Sequence, residues 1–315
     1  ASTNTYDTDY TTMGRAYIAA RSIWTQGRET TPPTPCSVNG GSQEYYEARL
    51  DIINSELAYL GYSGSEAYGV VWKVYSKTPP PGRQLYEMVD IFGTVTGSWF
   101  HHNYFGAYTY GGYCMTFRDN VFEHNVQYGL DPHDDSDYLT IDNNISRFNG
   151  NHGIICSIYC DHIVITNNET YGNAGNGIMI HRRVDGAIIE GNNSYDNNDS
   201  GIAIFDSHDS VIRSNTLSNN GKAAIRLSVG ASGNLIENNV MVGRAANQSG
   251  SGYVVYTYKG SDAPTEPGDG RPKNNILRNN QITGYKSLIL KINDGTANRF
   301  ENNTIDGSGT AFEFR

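Results

Sequence analysis

The chain repeats itself. The stretches YGLDPHDDSDYLTIDNNISRFNGN, HGIICSIYCDHIVITNNETYGNAG, NGIMIHRRVDGAIIEGNNSYDNND and SGIAIFDSHDSVIRSNTLSNNGK align without gaps, and their leading glycines, Gly129, Gly153, Gly177 and Gly201, stand 24 residues apart. Each stretch holds a short apolar run, a polar turn, a second apolar run and an asparagine. Those asparagines form the series Asn120, Asn144, Asn168, Asn192, Asn215, Asn239, Asn280 and Asn303. A period this short, with two or three strand-like runs and no helical periodicity, predicts an all-β solenoid. The expected form is a right-handed parallel β-helix, each repeat one coil, with equivalent positions stacked about 4.8 Å apart. The asparagine column then reads as a ladder of side-chain amides, a structural role.

The period breaks between Asn239 and Asn280, where GSDAPTEPGDGRPK predicts a long loop over about 260–273. We read 1–315 as a single β-helix domain, with coils over 51–315 and an N-terminal cap with loops over 1–50. Within that cap, TTMGRAYIAARSIWTQGRE predicts a short helix covering the open end of the solenoid.

Net charge is −10, which argues against nucleic acid and anionic membrane as partners. No apolar run is long enough for a membrane-spanning helix. The opening ASTNTYDTDY is what a processed secreted chain would show, so an extracellular location is expected. Of the four cysteines, Cys36, Cys114, Cys156 and Cys160, the pair in CSIYC is expected to form a disulfide rather than a zinc site.

Alternation along the first strand of each repeat sorts its residues by face. Leu130, Ile154, Ile178 and Ile202 point inward, as do Pro132, Cys156, Ile180 and Ile204. Asp131, Ile155, Met179 and Ala203 point outward, with His133, Ser157, His181 and Phe205. Asp131 and His133 therefore share one face, stiffened by the proline between them, and Tyr128 reaches it across the bend at Gly129. A histidine beside a carboxylate and a tyrosine can move protons, although such a trio also suits a solvated surface patch. Arg182, Arg183, Lys222 and Arg226 lie along the same side, either as a track for a polyanion or paired with Asp185, Asp206 and Asp209. Tyr108, Tyr110, Tyr253, Tyr256 and Tyr258 could flank that track as sugar-stacking sides.

The run YGLDPHDDS resembles the Tyr-Gly-[Phe/Ile/Leu]-Asp-Pro-His-[Asp/Glu] signature of the mannuronan C5-epimerases. NGNHGIICS resembles the next coil of that family and SELAYLGYSGSEAYGV its upstream region, so the likeness runs over roughly residues 51–205. The resemblance implies a right-handed β-helix acting on alginate, an anionic polysaccharide, with Tyr128, Asp131 and His133 in the catalytic positions. Periplasmic members carry an arginine in the coil after the signature, where this chain has Ile158. We expect Arg182, one coil further in the same column, to lean back and neutralise the substrate carboxylate. His152, His181, Arg183, Tyr110, Arg226 and Lys73 are the expected substrate-binding residues. One of His133 and Tyr128, with His133 favoured, removes the C5 proton. Tyr128 or water reprotonates the opposite face, turning mannuronate into guluronate. If O4 leaves instead, the same intermediate gives a lyase. A non-catalytic polysaccharide-binding β-helix would have no need of His133. No metal or other cofactor is expected, calcium remains open, and the chain is expected to be a monomer.

Overall fold

The computed structural model describes residues 10, 11, 15–24, 47–64, 66–76, 85–286, 288–307 and 311–314. Short strands follow one another in a cycle of three, and each pairs in parallel with its counterpart one coil away. The result is three sheets running the length of a β-helix, of eleven, ten and ten strands among the described residues. The first sheet contains Val70–Tyr75, Ala107–Tyr110, Leu130–His133, Ile154–Ser157, Ile178–His181, Ser200–Phe205, Ala223–Ser228 and Tyr253–Tyr258. Register is kept residue for residue, for example Ile178↔Ile202 and His181↔Phe205.

The core lies inside the coil, as the alternation predicts. Leu130, Ile154, Ile178 and Ile202 are fully buried in one column, and Cys156, Ile180 and Ile204 in the next. Phe117, Ile141, Ile165, Ile189 and Ile212 fill the second sheet's inner face. Each such side chain contributes about 1.5–3 kcal/mol on burial. The leading glycines have a packing cause. A Cβ on Gly129 would lie 2.2 Å from Ser146 Oγ and 2.5 Å from the Gly153 carbonyl oxygen, so neighbouring coils close only where no side chain intervenes.

The asparagine column is a continuous buried ladder. Asn144 Nδ2 donates to Asn168 Oδ1 at 2.9 Å, Asn168 to Asn192 at 3.0 Å, and Asn192 to Asn215 at 3.0 Å. Each amide also spans the backbone. Asn192 Oδ1 accepts the Asn168 N–H at 2.9 Å, and Asn192 Nδ2 donates to the Ile165 carbonyl at 2.9 Å. A second ladder runs through Asn125, Asn149, Asn173, Asn197 and Asn220. The same spacing announces it in the sequence.

Two expectations are corrected. Residues Ile18–Ile23 form a strand rather than part of a capping helix. They pair with Val70–Tyr75 at every position, because the sheet's open edge offers a full row of backbone partners that outweighs helix propensity. Residues 12–14 and 25–29 of that segment lie outside the described residues. The expected disulfide in CSIYC is absent: Cys156 and Cys160 are both free and buried. Cys156 fills an inward slot of its strand, while Cys160 turns its thiol onto the Ser157 carbonyl at 3.2 Å. The loop expected over 260–273 lies between the strands Tyr253–Tyr258 and Ile276–Arg278. No helix of the described residues is long and apolar enough to cross a membrane.

The ladder yields a stability prediction. Asn192→Ala leaves the Asn168 and Asn215 amides and the Ile165 carbonyl short of partners, and should destabilise the fold by about 2–4 kcal/mol. The exposed neighbour Asn193→Ala should stay within about 0.5 kcal/mol of the parent. Denaturant unfolding of both variants checks this; equal midpoints would show that the ladder adds nothing to stability.

Candidate active site

The outer face of the first sheet carries the chemistry. One column runs Lys73, Tyr110, His133, Ser157, His181 and Phe205. In the neighbouring column Tyr108 pairs with Asp131, while Met179, Ala203 and Arg226 follow in register further along. Pro132 sits buried between Asp131 and His133. It has no N–H to give, and the strand is registered on the next one at Leu130↔Ile154 and His133↔Ser157.

After Leu130–His133, Ile154–Ser157 and Ile178–His181 the chain makes a turn with two consecutive left-handed residues. Their φ values are 41° and 55° at Asp134 and Asp135, 65° and 56° at Ile158 and Tyr159, and 61° at both Arg182 and Arg183. Aspartate tolerates this conformation, whereas a branched isoleucine does so only under the constraint of the stack. The turn places Asp134, Ile158 and Arg182 in one column beside the sheet face. Together the two features enclose a cavity of about 200 Å³, lined by Tyr128, Asp131, His133, His152, Ile155, Ser157, Ile158, Met179, His181 and Arg182.

Asp131 faces outward but is only 2 % exposed, because the aromatic rings around it close over the sheet. Its Oδ1 has no hydrogen-bond partner. Burial pushes the Asp131 carboxyl up to about 7; the nearby Asp134 charge adds to this and His133 opposes it. The carboxylate that orients His133 is Asp134, not Asp131 as the outward pairing suggests: His133 Nδ1 meets Asp134 Oδ2 at 2.5 Å. Burial opposes protonation of His133, but the bond to Asp134 and the charges of Asp131 and Asp134 outweigh it and lift the pKa above the ordinary histidine value. With Nδ1 engaged, Nε2 is the ring nitrogen left for a substrate.

The other two histidines are held neutral. Burial lowers His152 to about 4, and burial together with the Arg182 guanidinium lowers His181 to about 4. His152 Nδ1 accepts the Asn176 N–H at 2.9 Å, so its own proton sits on Nε2. Tyr128 stacks on His152 at 5.4 Å and meets Phe105 edge-on at 4.8 Å; burial, then the Asp131 charge, pushes its phenol up to about 12.

Six of the ten residues expected at the site thus line one cavity: Tyr128, Asp131, His133, His152, His181 and Arg182. The others stand apart from it. Arg183 points away, paired with Asp185 at 2.8 Å and Glu266 at 3.6 Å, as the alternative reading of the arginines has it. Arg226 is buried against Asp199 at 3.3 Å. Lys73 pairs with Glu66 and lies over the Tyr110 ring, in the column of His133 but outside the cavity. Asp134 was missed, although its place beside His133 in DPHDD was the available signal. Among the described residues no group of three or more His, Cys, Asp or Glu side chains is placed to hold a metal ion.

Comparison with known proteins adds four findings. A mannuronan C5-epimerase of Pseudomonas putida is 32% identical over 102 residues, covering 32% of this chain and 18% of the relative. One from Pseudomonas syringae pv. tomato is 36% identical over 107 residues, covering 32% and 17%. The matched stretches therefore span less than a fifth of these curated relatives. The crystal structure of the periplasmic alginate epimerase AlgG superposes with a TM-score of 0.71 at 22% identity, covering 82% of this chain and 60% of that one, a likeness of fold. Residues 135–305 match the family described as "Right handed beta helix region". With the same coil geometry, glycine spacing and asparagine ladder running through that span, the chain belongs to the right-handed β-helix family.

Proposed function

We propose that this chain is a mannuronan C5-epimerase, converting β-D-mannuronate to α-L-guluronate within alginate. The observation that carries the reading is the meeting, in one cavity, of a histidine held by a carboxylate, a buried unpartnered carboxyl, a tyrosine and an arginine. The likeness to relatives named mannuronan C5-epimerase supports it. In this reading Arg182 and the Nε2–H of His152 receive the C5 carboxylate, and the protonated form of Asp131 donates to it as negative charge grows. Neutral His133 takes the C5 proton on Nε2, while Asp134 steadies the imidazolium that forms. Tyr128 then delivers a proton to the opposite ring face and is reprotonated from solvent, to which His133 releases the proton it took, so C5 is inverted and no bond of the chain is broken. No step calls for a cofactor. An extracytoplasmic location fits the reading, since a solved structure of the same fold is that of a periplasmic alginate epimerase.

His133→Ala should lower kcat by roughly 10²–10⁴-fold with little change in polymer affinity. Arg182→Ala should depress kcat by a similar order, because a charge-assisted bond to the developing enolate is worth several kcal/mol in a buried site. Arg183→Ala, already neutralised by Asp185, should be mild. Equal effects from the two arginine variants, measured on polymannuronate, would remove Arg182 from the mechanism.

A pH profile tests the base. kcat/KM should rise with pH through an apparent pKa above the ordinary histidine value, since only the neutral ring accepts a proton. Asp134→Asn removes the negative partner that stabilises the imidazolium, so the rising limb should move to lower pH. An unmoved limb in a folded Asp134→Asn protein would assign the ionisation to another group.

The outcome at C5 separates this reading from elimination. In deuterated water, proton NMR should show deuterium at C5 of newly formed guluronate with chain length preserved. Growth of unsaturated-uronate absorbance with falling viscosity and no guluronate would make the protein a lyase on the same scaffold.

A further inference from the structure

The first sheet continues well beyond the cavity, and its outer face changes character there. From His133 the column passes through Ser157, His181, Phe205 and Ser228 to Tyr258. At about 4.8 Å per strand, Tyr258 lies about 24 Å from His133. Tyr256 and Tyr258 stack there with ring centroids 4.5 Å apart and planes 3° from parallel. Lys222 Nζ stands 5.9 Å from the Tyr256 ring and 5.8 Å from Tyr258. Lys291 Nζ stands 5.6 Å from Tyr256 and donates to Tyr253 Oη at 3.5 Å.

This cluster carries unbalanced charge, unlike the strand arginines of the other two sheets. On the other two sheets Arg147 pairs with Glu123, Arg213 with Glu190 and Arg278 with Glu237. Among the described residues neither Lys222 nor Lys291 is paired with a carboxylate. The acid nearest in effect to Lys222, Asp199, is bonded to Arg226 at 3.3 Å. Two ammonium groups without a carboxylate partner among the described residues, on a half-buried aromatic platform in a chain of net charge −10, mark a place for a ligand that is both anionic and ring-shaped. Between platform and cavity, Arg226 lies 4.5 Å over the Phe205 ring, so the face is continuous from one to the other.

We propose that Lys222, Lys291, Tyr256 and Tyr258 form a distal subsite for a uronate ring of the same polymer chain whose reacting residue occupies the cavity. This rests on the polyuronate reading of the active site and extends it. The lysines pair with ring carboxylates and the tyrosines stack on sugar faces, holding a long chain in line with the stack of coils. A short oligomer seated in the cavity cannot reach the platform, so the subsite favours long chains over short ones.

The double variant Lys222→Gln/Lys291→Gln keeps most of each apolar stem on the tyrosine rings and removes both charges. Its KM for long polymannuronate should rise roughly tenfold with kcat nearly unchanged, a loss that shrinks in high salt. Kinetics on trimannuronate should be unaltered. Unchanged KM on the polymer, or an equal loss on the trimer, would overturn the proposal. Calorimetric titration of polymannuronate into the His133→Ala protein, with and without the two glutamines, reads the subsite without turnover. Weaker binding with the glutamines supports it even if the parent proves not to be an epimerase, whereas equal binding overturns it while leaving that activity intact. Absence of any polyuronate binding by the parent would overturn both. If the glutamine pair unfolds, Tyr256→Leu is measured in the same way, with the same expected and overturning results.

Discussion

The structure depends on asparagine amides buried between coils. A parallel stack must satisfy its backbone at the bends as well as along the strands, and there the sheet ladder stops. A buried peptide group without a partner costs about 1–3 kcal/mol. Each ladder asparagine meets this by accepting the backbone N–H of the preceding coil, donating to a carbonyl of that coil, and bonding the amides before and after it. The series is thus both a row of caps and a ruler. It fixes the rise from coil to coil, and with it the register of every outward column.

The active face follows from that ruler. Because coils stack without slipping, residues a whole repeat apart in sequence become neighbours, and a site can be assembled from three successive turns of chain. Asp131 and His133 come from one coil, Ile158 from the next and Arg182 from the third, yet all line a single cavity. The left-handed pairs at the turns complete the arrangement by turning the chain so that Arg182 flanks the cavity while Arg183 leaves toward Asp185. Aromatic rings close over the sheet, and this burial, more than any single charge, lifts the Asp131 carboxyl and keeps His152 and His181 neutral.

The charge distribution gives the same face a direction. Most cations elsewhere on the coil are spent on glutamates or aspartates, as Arg147, Arg213 and Arg278 are. Lys222 and Lys291, which have no carboxylate partner among the described residues, lie along the first sheet's outer surface on the far side of the cavity from Lys73, which pairs with Glu66. An acidic protein can in this way offer a polyanion a local path against its own overall field.

The sequence by itself determined the coil. Its 24-residue period, its alternation and its asparagine series define which residues face in, and they place Asp131 and His133 together and Arg182 in the column of Ile158. These are consequences of local geometry, since a strand has a period of two and a parallel stack repeats itself. Tertiary structure decided what depends on neighbours distant in sequence. Ile18–Ile23 became a strand because the edge at Val70–Tyr75 was there to pair with. Asp131 became buried because rings from several coils cover it, and Arg183 was withdrawn by Glu266 from the long loop. Cys156 and Cys160 stayed apart because one belongs to an inward strand position and the other to the turn beyond it. Asp134 took the place at His133 that alternation assigned to Asp131, because a left-handed turn brings adjacent side chains together where an extended strand would send them to opposite faces.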